Sequence, residues 1–303
     1  MIVAAGLGTR LRPLTELRPK PALPVRGIPL IAYTLALLAR HGVTEVVVNV
    51  HHLPDILMDA TRRHCPAGVD LRFSIEDELL DIGGGIRRVA DFLRESDPSL
   101  IVAGDMLLDA DLSALVATHR ERSDAWTLLL RAGDPREKTF GTIGVDSENR
   151  LRRIGTRHDL GDEHRAGLYA WANVVAARAF DSLPEREIFS HFDDWIAPLL
   201  ASGATDIRGE ILASENFVWE PVGTPAEYLA VNLNPIELSY QAAIADAQRA
   251  GAHLERDVVI GRGAKLGPTA RLRRAVVWDG ERVPDGFAAS DGVFAGGVFH
   301  SVG

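Results

Sequence analysis

The chain has 303 residues, of which 46% are apolar and 25% charged, so it can bury a full core and suits one large domain plus an appendage. Its formal charge of -9 with a pI near 5.6 argues against a general nucleic-acid binder, which needs a basic face. Cys65 is the only cysteine, so intrachain disulfides are excluded and a reducing compartment is expected. No basic segment followed by an apolar run opens the chain, and no apolar run approaches the ~18 residues of a membrane span. The sequence reads as cytosolic and off the membrane.

Met1 to Ala5 is a short apolar run that reads as a strand, and the stretch GLGTRLRPLTELRPK, Gly6 to Lys20, follows it directly. A strand feeding a glycine-rich turn makes a phosphate-binding corner. Gly6 and Gly8 carry no Cβ, so the backbone can take positive φ and its N–H groups can close on an anion. Thr9 adds a hydroxyl. Between residues 1 and 26 the cations are Arg10, Arg12, Arg18, Lys20 and Arg26 against a single acid, Glu16, five less one giving +4 on an acidic chain. A bare G-x-G is common, and two familiar phosphate motifs are absent: no G-x-x-x-x-G-K-[ST] occurs, and Leu11 replaces the third glycine of the dinucleotide fingerprint.

The apolar spacing of Ile28 to Arg40 predicts a helix stopped at Gly42, and EVVVNV, Glu45 to Val50, predicts a buried parallel strand. Helices over Pro54 to Arg63 and Gly85 to Arg94 and strands near Leu71 to Ile75 and Leu100 to Ala103 continue a doubly wound α/β alternation to about residue 180. In such sheets ligands sit beyond the carboxyl ends of the strands. The glycine loop, His51 with His52, the triplet Gly83 to Gly85 and Asp105 all fall there. Asp105 is either a hard oxygen ligand for Mg²⁺ or a turn and capping aspartate beside Asp109 and Asp111. The glycine triplet either lets backbone approach something flat or is a flexible loop, and the two histidines read as loop packing. His64 beside Cys65 does not make a metal site.

From Trp126 the pattern is strand-rich, with WTLLLRA, FGTIGVD and a hairpin return at RLRRIG. AGLYAWANVVAARAF reads as a strand and helix, Ile188 to Ala201 as an amphipathic helix, and Pro235 to Arg249 as another. Leu254, Ile260, Leu266 and Leu272 recur every six residues, with Gly261 and Gly267 behind two of them. That is the period of a left-handed parallel β-helix, the alternative being an irregular tail.

The whole pattern G-x-G-T-R-L-x-P-L-T-x-x-x-P-K-P closely resembles the signature of the sugar-nucleotide pyrophosphorylases, which join a sugar 1-phosphate to a nucleoside triphosphate. The resemblance runs on through GIPLIAYTLALLARHGVTEVVVNVHHLPD, ELLDIGGGI, AGD and VGTPAEYLAVN, nearly to residue 233. It implies a Rossmann-like α/β nucleotidyltransferase domain with a mixed, mainly parallel sheet over residues 1–233, then a linker helix and a short left-handed β-helix over 234–303. It also implies an NTP cradled by Ala5, Gly6, Gly8 and Thr9, with Gly83 and Gly84 along the nucleoside and Gly141 near the sugar. Arg10 and Lys20 are the implied catalytic cations, and Asp105 the implied Mg²⁺ ligand. The length and the six-residue repeat look most like the mannose-1-phosphate guanylyltransferase type, while ELLDIGGGI is also similar to N-acetylmuramate-1-phosphate uridylyltransferases. Some relatives use such a tail for oligomer contacts, so a homo-oligomer is an expectation.

Three positions depart from the pattern. Pro221 stands where relatives carry a second metal-binding aspartate, Ile82 replaces the usual threonine before the glycine triplet, and the first strand is two or three residues short. Proline has no side-chain donor, and the adjacent Glu220 could substitute only through a local bend, because neighbours on a strand face opposite ways. RLRRIGTRHDL lacks a clear counterpart of the glutamate-lysine pair with which some relatives grip the sugar phosphate. A catalytically weak, nucleotide-sugar-sensing homologue is therefore the rival reading to an enzyme.

Overall fold

The computed structural model describes residues 1–302. Short β-branched strands make the parallel half of the central sheet: β1 (Ile2–Val3), β2 (Glu45–Val50), β3 (Asp70–Ile75) and β4 (Ser99–Ala103). β1 lies between β2 and β4, with Ile2 opposite both Val48 and Val102, and β3 flanks β2. Val46, Val48 and Val50 enter one core while Val47 enters the other, the period-two division of a strand covered on both faces. Helix α1 (Leu30–Arg40) is buried from Leu30 through Leu38, and α2 (Pro54–Arg63) follows β2 as expected.

The glycine triplet lies elsewhere than expected. Helix α3 (Asp81–Arg88) starts before it, so Gly83, Gly84 and Gly85 are inside a helix and buried; α4 (Ala90–Arg94) follows after a break at Val89. Glycine is a poor helix former, and packing supplies the reason for three of them. A Cβ on Gly83 would overlap the Phe189 ring, one on Gly84 the carbonyl of Glu187, and one on Gly85 the side chains of Asn49 and Glu76. The Gly83 and Gly84 amides both donate to the Phe189 carbonyl, at 3.0 and 3.3 Å.

The second half of the sheet is mostly antiparallel. After β5 (Met106–Asp109) and α5 (Leu112–Arg122) come β6 (Trp126–Ala132), the hairpin β7 (Ile143–Val145) and β8 (Leu151–Ile154), and β9 (Arg165–Val175). β9 runs antiparallel to β4, β6 and β7 and so joins the two halves. The helix expected from Ile188 instead begins at His191, as a π-helical turn to Ile196 followed by Ala197–Ala201, because Ser190 caps it through the Asp193 amide at 3.2 Å. β10 (Ile207–Ala213) lies parallel to β6, and β11 (Val218–Pro221) pairs antiparallel with β5, placing Pro221 opposite Met106.

Helices α6 (Pro225–Leu233) and α7 (Gln241–Gly251) lead into a coil of strands: β12 (Ala252–Glu255), β13 (Val258–Gly261), β14 (Lys265–Leu266), β15 (Arg271–Val277), β16 (Arg282–Val283), β17 (Ala288–Ala295) and β18 (Val298–Ser301). α7 starts six residues after Pro235. Val258 pairs in parallel with Ala275 and Ala275 with Gly292, so each coil closes in 17 residues. The parallel stacking agrees with a β-helix, but the six-residue row does not form its interior. Of that row only Ile260 is buried, while Leu254 and Leu266 are 42% and 37% exposed. The interior is Val258, Ile260, Ala275, Val277, Val283 and Phe294. The alternating residues Val259, Val276 and Val293 face the other way and join the main core.

Candidate active site

The carboxyl ends of β1 and β4, the β7 hairpin and the end of β11 surround one cavity of about 990 Å³. It is lined by Ala5, Gly6, Gly8, Thr9, Arg10, Lys20 and Asp105, and also by Gly141, Tyr169, Trp171 and Phe192. Eight of the ten residues singled out in the sequence therefore meet. Gly83 and Gly84 do not line the cavity, since their amides and their missing side chains are taken up by Phe189 and Glu187. The α3 residues that do line it are Asp81 and Ile82.

The glycine loop is held from behind. Gly8 adopts φ +61°, a conformation that favours glycine, and its carbonyl accepts from Thr15 Oγ1 at 3.0 Å. His52 Nε2 donates to the Thr15 carbonyl at 2.7 Å, and His51 Nδ1 bonds the Glu76 carbonyl at 2.9 Å. His52 thus braces the glycine loop through Thr15, while His51 ties its own loop to Glu76. The amides of Gly6, Leu7 and Gly8 donate to no other group among the described residues. They remain available to an anion, which is what a phosphate cradle requires.

Lys20 opens a short helical turn, Lys20–Ala22, and its Nζ reaches Asp105 Oδ2 at 2.7 Å. Asp105 leaves β4 after Gly104, on rigid backbone at the sheet rim. Arg10 ends beside Gly223, where a Cβ would stand 3.1 Å from its guanidinium; the Gly223 amide is fixed by Glu227 Oε2 at 2.7 Å. Two cations and one carboxylate therefore line the same cavity, Lys20 and Asp105 in direct contact. Proximity of this kind lets the site neutralise a polyanion and still retain a hard oxygen ligand.

Pro221 lines the cavity and Glu220 does not. β11 stays extended through both, and Glu220 turns away to pair with Arg136 at 3.0 Å. No bend brings a second carboxylate to Asp105. Arg136, which bonds Asp134 at 2.7 Å, also holds that carboxyl well below the usual carboxylate range, so this charge network is complete without the cavity.

Several residues that line or support the cavity escaped the sequence reading. Asn49, the one polar residue in the interior of β2, accepts the Ala4 amide at 2.7 Å and donates to Glu76 at 2.8 Å, and Glu76 in turn accepts the Leu80 amide at 3.2 Å. This buried chain ties the start of the glycine loop to the start of α3, and the polar interruption of VVVNV was its only signal. The aromatic wall was also missed. Trp171 stands at φ +56° in a bulge of β9, with its ring 4.7 Å from Tyr169 and 5.7 Å from His191. His191 is buried with neither ring nitrogen bonded, and burial pushes it down to about 3.

Comparison with known proteins agrees with this geometry. Residues 1–237 match the family model described as Nucleotidyl transferase. The chain is 32% identical to a mannose-1-phosphate guanylyltransferase of Mycobacterium tuberculosis, over 94% of this chain and 81% of that protein. It is 28% identical to a UTP–glucose-1-phosphate uridylyltransferase of Synechocystis over 75% of its length, and spans 61% of that relative. The crystal structure of HddC from Yersinia pseudotuberculosis complexed with GMP-PN shares the fold at a TM-score of 0.63 and 18% identity, covering 76% of this chain and 96% of that one. With the family model spanning residues 1–237 and the 32% identical relative covering most of both chains, the chain belongs to the nucleotidyl transferase family.

Proposed function

We propose that the cavity transfers a nucleoside monophosphate from an NTP to a sugar 1-phosphate, with GTP and mannose 1-phosphate as the first pair to try. The choice of pair follows the guanylyltransferase relative that covers 94% of the chain. The observation that carries the reaction class is the convergence of the glycine loop, Arg10, Lys20 and Asp105 on a single cavity. A sugar 1-phosphate is already an anionic nucleophile, so no general base is required; the obstacle is bringing two polyanions together.

The Gly6 to Thr9 backbone binds the triphosphate, and the chamber bounded by Gly141, Tyr169 and Trp171 holds the sugar with its phosphate towards Lys20. A phosphate oxygen of the acceptor forms its bond to the α-phosphorus as the bond to the bridging oxygen breaks, and that oxygen leaves with the electron pair on pyrophosphate. Lys20 stabilises charge at the α-phosphate and Arg10 stabilises it on the departing group.

The residues present fit Mg²⁺. Among the described residues no group of three or more His, Cys, Asp or Glu is placed to hold a metal ion, yet Mg²⁺ in triphosphate sites is held through one or two carboxylates plus phosphate oxygens and water. Asp105 would be its protein ligand, and the ion would supply further neutralisation of the phosphate oxygens. Lys20→Ala should lower pyrophosphate release by about two to three orders of magnitude; near-normal turnover in that assay refutes the assignment. Saturable NTP binding with no pyrophosphate release from any sugar 1-phosphate would support the sensing homologue that Pro221 suggests.

A further inference from the structure

The C-terminal coil touches the segment that carries Lys20. Arg18, two residues before Lys20, ion-pairs with Asp279 of the coil at 2.8 Å, and its guanidinium lies 4.7 Å from the centre of the Trp278 ring. Trp278 is itself fixed. It is buried, and its Nε1 donates to the Tyr228 hydroxyl at 2.9 Å, which donates to the Pro24 carbonyl at 2.6 Å.

The neighbouring contacts repeat the pattern. Leu17 packs on the coil at Gly296, where a Cβ would come 3.1 Å from it. The Gly296 and Gly297 amides are in turn held by Glu281 at 2.7 and 3.0 Å. The segment carrying Lys20 is therefore anchored on both flanks, at residues 17–18 directly and at Pro24 through Tyr228. Between the anchors stand Pro19 and Pro21, whose rings fix φ and leave the intervening backbone little freedom. The place of Lys20 is set by where its flanks are tied.

We infer that Arg18, gripped by Asp279 and Trp278, is a positioning residue that sets Lys20 for reaction, so the coil is part of the framework of the active site. The inference rests on the reading of Lys20 as a phosphate-binding side chain. Steady-state pyrophosphate release and thermal melting of the full chain test it. Arg18→Ala should lower kcat about tenfold to a hundredfold, as small misplacements of reacting groups do, with KM for the nucleotide little changed. Arg18→Lys should recover part of the loss by keeping the ion pair. Asp279→Asn, which retains the shape of the coil, should lose kcat in the same direction by less.

In a Lys20→Ala background Arg18→Ala should add nothing further, since both act through one group. Arg274→Ala removes a coil ion pair of 2.8 Å, to Asp291, and should leave turnover unchanged. The inference is overturned if Arg18→Ala and Asp279→Asn lower the melting temperature but not kcat, if Arg18→Ala costs the same factor with and without Lys20, or if Arg274→Ala loses as much. Near-normal turnover in Lys20→Ala alone marks a different failure, that of the functional reading, and the inference falls with it.

Discussion

Pro221 decides how many carboxylates the cavity can offer beside Asp105. Its register opposite Met106, next to Asp105, puts it at the rim of the cavity, and Glu220 is committed to Arg136 on the far side. Pro221→Asp places a second hard ligand beside the first, and ligand charge strengthens binding of divalent cations. The variant should reach half-maximal pyrophosphate release at a lower Mg²⁺ concentration; an unchanged magnesium titration would show that position 221 does not face the metal. At this scale the sequence was informative where charge was unusual. An early cluster of five cations on an acidic chain and an aspartate at a strand end stood out by charge and position, while the choice of Arg10, Lys20 and Asp105 among such groups came from the family resemblance. Asn49 and Trp171 did not stand out, since their roles come from a buried hydrogen bond and a bulge that only the folded backbone creates.

Among elements, α3 shows why glycine is hard to read. A glycine near a ligand and a glycine pressed against a side chain look alike in sequence. Gly6 has nothing within 4 Å of a built Cβ, whereas Gly83 meets Phe189. Gly6→Ala should therefore leave the melting temperature nearly unchanged and weaken nucleotide binding. Gly83→Ala should cost about 1–3 kcal/mol of stability by overpacking, measured by denaturant unfolding. Equal stability of the two variants would contradict this division. β2, α1 and α2 were legible because their apolar spacing matches a single period. The segment from Ile188 was not, because the cap at Ser190 and a π-helical turn shift its start; of the coil, the parallel stacking was legible but the interior was not, because each turn closes in 17 residues while the apolar row counts in sixes.

Across the whole molecule, two cores flank the sheet and a third lies inside the coil, and acid should unfold the chain through groups buried neutral or paired. His191 is held to about 3 by burial, against an ordinary value of 6.5, with only Asp193 opposing the shift. Between those two values the unfolded chain binds a proton that the folded chain refuses, so stability falls as pH drops from 6.5 towards 3, by an amount of the order of a few kcal/mol. Asp134, whose folded carboxyl is held low by Arg136, adds stability above its unfolded range that is lost at more acidic pH. His191→Phe should flatten the slope of unfolding free energy against pH over the first interval; an unaltered slope would mean that the imidazole takes up its proton in the folded state as readily as in the unfolded one.

The coil has a consequence for how this chain can change length. Its strands show Val259, Val276 and Val293 to the main core and Val258, Ile260 and Val277 to its own interior. Inserting one residue into a rung reverses that parity and turns both sets towards the wrong neighbours. Antiparallel β12 and β18 close the two ends, so growth is tolerated only as a complete 17-residue rung spliced between them.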